Sequence, residues 1–157
     1  MTEISNDTEF RDRLESLDPA YQRILAARFV EKVLSLCDDE RVCRVVKVAA
    51  NPDASADELR TALHSARVAI IDSHARCGAD SSWKDQAGYF VARAAAAAVS
   101  PPGQLAGGAA WHAAMSSRMA ETCRSIDTAE DNTGQVRQQQ HLILSEFLTS
   151  IESAPHE

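Results

Sequence analysis

Apolar positions recur at intervals of three and four along nearly the whole chain, the spacing of one face of an α-helix. Phe10, Leu14 and Leu17 follow this rule and predict a first helix from Asn6 or Thr8 to Leu17. Asp18-Pro19 is a restart, because aspartate caps helix N-termini and the missing N–H of proline needs no partner in a first turn. A second helix is predicted from Pro19 to about Cys37, with Tyr21, Ile24, Leu25, Phe29, Val30, Val33 and Leu36 forming a broad apolar face. For Glu40 to Ala50, the β-branched Val42, Val45, Val46 and Val48 favour a strand. Arg41, Arg44 and Lys47 recur every third residue and favour a helix, which Asn51-Pro52-Asp53 ends.

In Ser55-Ala56-Asp57-Glu58 a serine cap is followed three residues later by a glutamate, the pattern of a capping box. The fourth helix then runs to Cys77, with Leu59, Leu63, Ala66, Ile70, His74 and Cys77 on one face and Gly78 as a left-handed C-terminal cap. Asp80-Ser81-Ser82 opens a fifth helix that holds five consecutive alanines before Val99, and Pro101-Pro102-Gly103 closes it. Alanine is the best helix former, and a surface of methyl groups lets a neighbouring helix approach closely. Gly103, Gly107 and Gly108 loosen the connection to a sixth helix, Ala109 to Arg124. Asp127 to Gly134 reads as a polar loop. A last helix from Gln135 to Ile151 carries Val136, Gln140, Ile143, Phe147 and Ile151 on a stripe.

No segment alternates cleanly enough to be a strand. The pattern predicts an all-α fold: one domain over residues 1–157, a bundle of six or seven antiparallel helices. Helices four, five and six are expected at its centre, and residues 1–5 and 153–157 are expected to fray. Helix pairs recur at about 40 residues, a HEAT-type length, but no repeat residues match.

Composition sharpens this picture. Of the 157 residues 27 are alanine, so the core must come from many close helix contacts as well as from a few large side chains. Asp and Glu outnumber Lys and Arg by 23 to 16, a net charge of −7. Nucleic acid is therefore disfavoured as a partner, since phosphate binding needs clustered positive charge. The N-terminal residues lack the basic and apolar regions of a secretory signal, and no run is apolar enough to span a bilayer. The four cysteines form no Cys-x-x-Cys pair. A reduced, cytoplasmic state is the expectation.

Asp39-Glu40-Arg41 with Arg44, Val46, Val48 and Ala49, then Asp57-Glu58-Leu59 and Ala66-Arg67, form a pattern that the alanine helix and Ala109-Ala110-Trp111-His112-Ala113-Ala114 complete. Over about residues 20–125 it resembles a group of alanine-rich all-helical bacterial domains, which includes immunity proteins and domains with no assigned role. The resemblance implies a helical fold and a toxin-neutralising or protein-binding role, and it carries no active-site residue. The His-bearing alanine blocks of the immunity type are present in part, at His64, His74 and His112.

Candidate chemistry is sparse. His74 and Cys77 stand three apart on one helix face, and with His112 and Cys123 they would supply four zinc ligands. The alternative is that they are core residues with satisfied hydrogen bonds. His112, Met115, Met119 and Cys123 share helical spacing. They suit copper(I) or haem iron, or fill gaps in a core. Acid groups at Asp38-Asp39-Glu40, Asp57-Glu58 and Glu130-Asp131 sit at predicted helix starts, where they complement the helix dipole. The chain contains no Glu-x-x-His pair, no Gly-x-Ser-x-Gly elbow and no phosphate loop. Trp83 and Trp111 are either lids over the alanine surface or binding anchors, and Phe147 lies on the interface candidate, the last helix. That helix docks on its own domain or on a second copy. The expected function is a non-enzymatic protein-binding module without cofactor, whose acidic surface masks a basic protein, in the manner of immunity proteins. The alternatives are a small-ligand or metal-binding bundle and a structural homodimer.

Overall fold

A computed structural model describes residues 3–76, 82–130 and 132–153. Among these residues there are seven α-helices and no strand. They are α1 (Asp7–Glu15), α2 (Pro19–Glu31), α3 (Glu40–Ala50), α4 (Ala56–Arg76), α5 (Trp83–Ala98), α6 (Ala109–Thr128) and α7 (Thr133–Glu152), with a short 3-10 turn at Leu34–Leu36. The all-α bundle predicted from periodicity is the fold.

The local signals act as their chemistry requires. Ser55 and Glu58 close the capping box reciprocally: Glu58 N–H donates to Ser55 Oγ at 3.1 Å, and Ser55 N–H donates to Glu58 Oε1 at 3.3 Å. Asn6, Asp39 and Ser82 each accept a first-turn N–H, from Glu9, Arg41 and Asp85. The β-branched segment is helix α3, with Val42, Val45, Val46 and Ala49 turned inward and the basic residues outward. Gly78 lies outside the described residues.

Three expectations shift. Helix α2 stops at Glu31 rather than Cys37, and the chain tightens through bonds from Lys32 N–H to Phe29 O and Val33 N–H to Val30 O. The tightening keeps Val33 in the core and lays the 3-10 turn against α5. The polar segment from Asp127 is partly helical: α6 continues to Thr128, and left-handed Ala129 (φ 60°) ends it. Residues 3–5 are not frayed, since Ile4 is buried and its N–H donates to Ser145 Oγ at 3.3 Å.

Helix α5 lies at the centre, packed on α2, α3, α4 and α6, and α5 with α6 is the most extensive pair. Ala92, Ala94, Ala95 and Ala98 of α5 and Ala110, Ala113, Ala114 and Ala120 of α6 are buried in one core. The third central helix is α2, not α4. Leu25, Ala26, Ala27, Phe29 and Val30 of α2 are fully buried. Helix α4 buries only a narrow strip: Ala62, Leu63, Ala66, Ala69 and Ser73. That strip runs through Ser73 rather than His74, so His74 is exposed.

A polar network fastens α1 to this core. Arg118 donates through Nη1 and Nη2 to the two oxygens of Asp7, each at 2.9 Å, and through Nε to Gln140 Oε1 at 2.7 Å. Gln140, 1% exposed, donates in turn to Ala114 O at 3.0 Å. His141 Nε2–H donates to Asp7 Oδ1 at 2.9 Å. Buried amides and guanidinium groups require such partners, because an unmade bond costs more than a made one contributes. The Arg118 guanidinium holds the Asp7 carboxyl down at about 2 against the opposing effect of burial, with a smaller contribution from the His141 hydrogen bond.

Replacing Ala95, which has no exposed surface, by leucine overfills this contact. The expected loss is about 1–3 kcal/mol, read from the urea midpoint; an unchanged midpoint would show that α5 is not in close contact there. Asp7→Asn leaves Arg118 short of its counter-charge. A loss of about 1–2 kcal/mol near neutral pH is expected, discounted for the partial exposure of Asp7. Because the folded carboxyl lies below its ordinary 3.8, its stabilisation is complete above that value and disappears as pH falls through about 2. The gap between wild type and variant in a urea titration series should therefore close over that window.

Candidate functional site

Two clefts open along α5. The first lies where the 3-10 turn, the start of α3, the end of α4 and the start of α5 meet. It has a volume of about 420 Å³, with Cys37, Asp39, Arg41, Ser73, Lys84 and Gly88 among its lining residues. The turn lies against α5 beside Gly88, where a Cβ would make only ordinary contacts, 3.6 Å from Leu36 O and 4.0 Å from Cys37 Cα. The other walls are polar because two helix starts deliver carboxylates, Asp38, Asp39 and Glu40 before and within α3 and Asp85 in the first turn of α5.

Arg41 organises these charges. Its Nε and Nη2 grip Asp39 at 3.0 and 2.7 Å, and its Nη1 reaches Asp72 on α4 at 2.9 Å. The Arg41 side chain holds the Asp39 carboxyl below the usual carboxylate range. Lys84 pairs with Asp38 at 3.1 Å, both well exposed. Burial pushes the Cys37 thiol up, so this sulfur stays protonated and is a poor nucleophile at neutral pH. The cleft thus interleaves the carboxylates Asp38, Asp39, Glu40 and Asp85 with the cations Arg41, Arg76 and Lys84 around an inert thiol and a buried serine hydroxyl.

The second cleft is apolar and has a volume of about 460 Å³. It forms at the ends of α2, α4, α5 and α6, with Leu59, Leu63, Ala98, Val99, Pro101 and Leu105 in its walls. Gly108 closes one side in a left-handed conformation (φ +91°), and a Cβ there would strike the Gln22 side chain at 2.3 Å.

No family model, curated protein or solved structure matches the chain.

The residues singled out from the sequence are scattered differently. His74, exposed on α4, packs in a tilted arrangement at 5.7 Å against Tyr89 of α5. His112 lies at the start of α6, where its Nε2–H donates to Ala106 O at 2.6 Å, which removes that nitrogen as a metal ligand. Cys123 is buried near the far end of α6, and Cys77 lies outside the described residues. Among the described residues no group of three or more His, Cys, Asp or Glu is placed to hold a metal ion. Trp83 is 39% exposed at the start of α5. Trp111 is half-buried, 6.1 Å from Phe10 and beneath the Arg11 guanidinium. Phe147 is a core residue rather than a presented anchor, edge-on to Tyr21 at 5.4 Å with Arg28 over its ring. Helix α7 spends its stripe on its own domain. Among the described residues no helix is long and apolar enough to cross a membrane.

Neither cleft was visible as a site in the sequence, because each draws single residues from four elements. The acid run before α3 was the one available signal for the first. Gly88→Ala tests the geometry of that cleft. The new methyl meets only ordinary contacts, and the helix gains the propensity of alanine over glycine, so a stabilisation of about 0.5–1 kcal/mol is expected in thermal melts. A destabilised variant would mean that the turn sits closer to α5 than described.

Proposed function

We propose that the protein is a non-enzymatic protein-binding module of the bacterial cytoplasm, in the specific form of a toxin-neutralising protein. Its acidic cleft receives a basic element of the partner. The observation that carries this reading is the group of carboxylates at one edge of the bundle, Asp38, Asp39, Glu40 and Asp85, which outnumber the cations Arg41, Arg76 and Lys84 of the same cleft. The net charge of −7 supports it. Electrostatic complementarity of this kind raises association rates and rejects wrong partners more than it adds affinity. The close-packed alanine core presents the carboxylates on a rigid frame, which lowers the ordering cost of binding.

Co-expression with the toxin encoded beside its gene is expected to restore growth, and the purified proteins are expected to form a one-to-one complex. Reversing Asp38, Glu40 and Asp85 to lysine together should slow association by about tenfold or more at low salt while the circular dichroism spectrum is retained. Absence of rescue and of a complex would count against the reading, as would association indifferent to the reversal.

A further inference from the structure

The apolar cleft has a feature that the acidic cleft lacks. Its charged lining residues are Arg23 and Arg60, and no carboxylate lines it. Arg60 is exposed and already paired with Asp57 on the same helix. Arg23 is half-buried, and its hydrogen bonds all go to neutral carbonyls: Nε to Ala49 O at 3.2 Å, and Nη2 to Asn51 O at 2.9 Å and Pro52 O at 3.5 Å. These bonds anchor the side chain on the end of α3 and, among the described residues, leave Nη1 unengaged. In a chain of net charge −7, an anchored cation with no carboxylate partner among the described residues therefore stands in the wall of an apolar cleft.

We propose that this cleft binds a linear apolar molecule ending in a carboxylate, of the medium-chain fatty acid class, with its tail along Leu59, Leu63, Val99 and Leu105 and its head on Arg23. The volume of about 460 Å³ falls in the range of small-molecule sites, which pair apolar walls with a few placed polar groups. Charge complementarity selects the head group. A carboxylate regains the interaction that Arg23 loses when its surroundings are desolvated, whereas an alcohol regains little and an amine is repelled. The tail would gain about fourfold in affinity per buried methylene until the walls are filled. This site lies further along α5 than the acidic cleft and does not depend on the protein-binding reading.

Isothermal titration with octanoate, decanoate, decanol and decylamine, each below its micelle concentration, tests the assignment. Saturable one-to-one binding of decanoate is expected, about fifteenfold tighter than octanoate and clearly tighter than decanol or decylamine. Arg23→Gln should remove the preference for decanoate over decanol. Because Arg23 also holds the end of α3, a second variant, Ala56→Trp, places a bulky ring in the cleft from an exposed position and should weaken decanoate at least tenfold with the melting temperature kept. Absence of saturable decanoate binding would overturn the proposal. So would decylamine binding as tightly as decanoate, or decanoate binding unchanged by Ala56→Trp. A peptide with an apolar C-terminus that binds here while decanoate does not would overturn it in favour of a chain end.

Discussion

Close contact between the alanine surfaces of α5 and α6 is the constraint on which the rest of the structure depends. Methyl side chains have no rotamer entropy to lose and allow helix axes to come near the lower end of the usual ~8–10 Å separation. Ala94 and Ala95 of α5 and Ala110, Ala113 and Ala114 of α6 are fully buried. A pair so closely joined is too thin to enclose a core alone. The larger residues therefore come from elements laid against it: Phe10 and Leu14 from α1, Leu25 and Phe29 from α2, and Leu144 and Phe147 from α7. The bundle consists of a small-residue spine with bulky side chains around it, and close packing of this kind leaves little room for change in volume at the spine.

Polar groups settle how the outer helices attach. Helix α1 is short, and it is held by Asp7 through the bidentate Arg118 pair as well as by its apolar face. Gln140 links the same guanidinium to the carbonyl of Ala114, so one chain of bonds joins α1, α6 and α7. Partly buried charge pairs contribute little net energy against their desolvation, but removing one partner is costly. That asymmetry fixes register, because any slip of α1 or α7 leaves a guanidinium or an amide unsatisfied. The acidic cleft follows the same logic on a smaller scale, with Arg41 tying α3 to α4 through Asp39 and Asp72.

The two clefts arise where the spine ends. Around the start of α5, the 3-10 turn lies beside Gly88, and the carboxylates that complement the starts of α3 and α5 line the opening. Around the end of α5, Pro101, Gly103 and Gly108 turn the chain, and the helix ends cannot all meet without a gap. Residues that serve helix termination thereby become the walls of candidate binding surfaces, one acidic and one apolar with a single anchored cation.

Much of the helical content was legible along the chain. Periodicity, the Ser55–Glu58 box, Asp18-Pro19 and the alanine run are local signals, and local hydrogen bonding and side-chain entropy are enough to read them. The stripe on α7 was legible too, with Gln140 placed on it, but that this amide is buried and bonds to Ala114 O was not. What the sequence could not supply was pairing in space. One residue of helical phase separates buried Ser73 from exposed His74, and that phase is set by which neighbour α4 meets rather than by its own pattern. The sequence alone determined that these segments are helices and that two of them are lined with methyl groups, because those properties reside in consecutive residues. The tertiary structure alone decided that α2 rather than α4 completes the centre, that Arg118 answers Asp7 across the chain, and that the helix ends leave two clefts of opposite character. Those outcomes depend on the joint fit of distant surfaces, and the free energy of such a fit is not carried by any one segment.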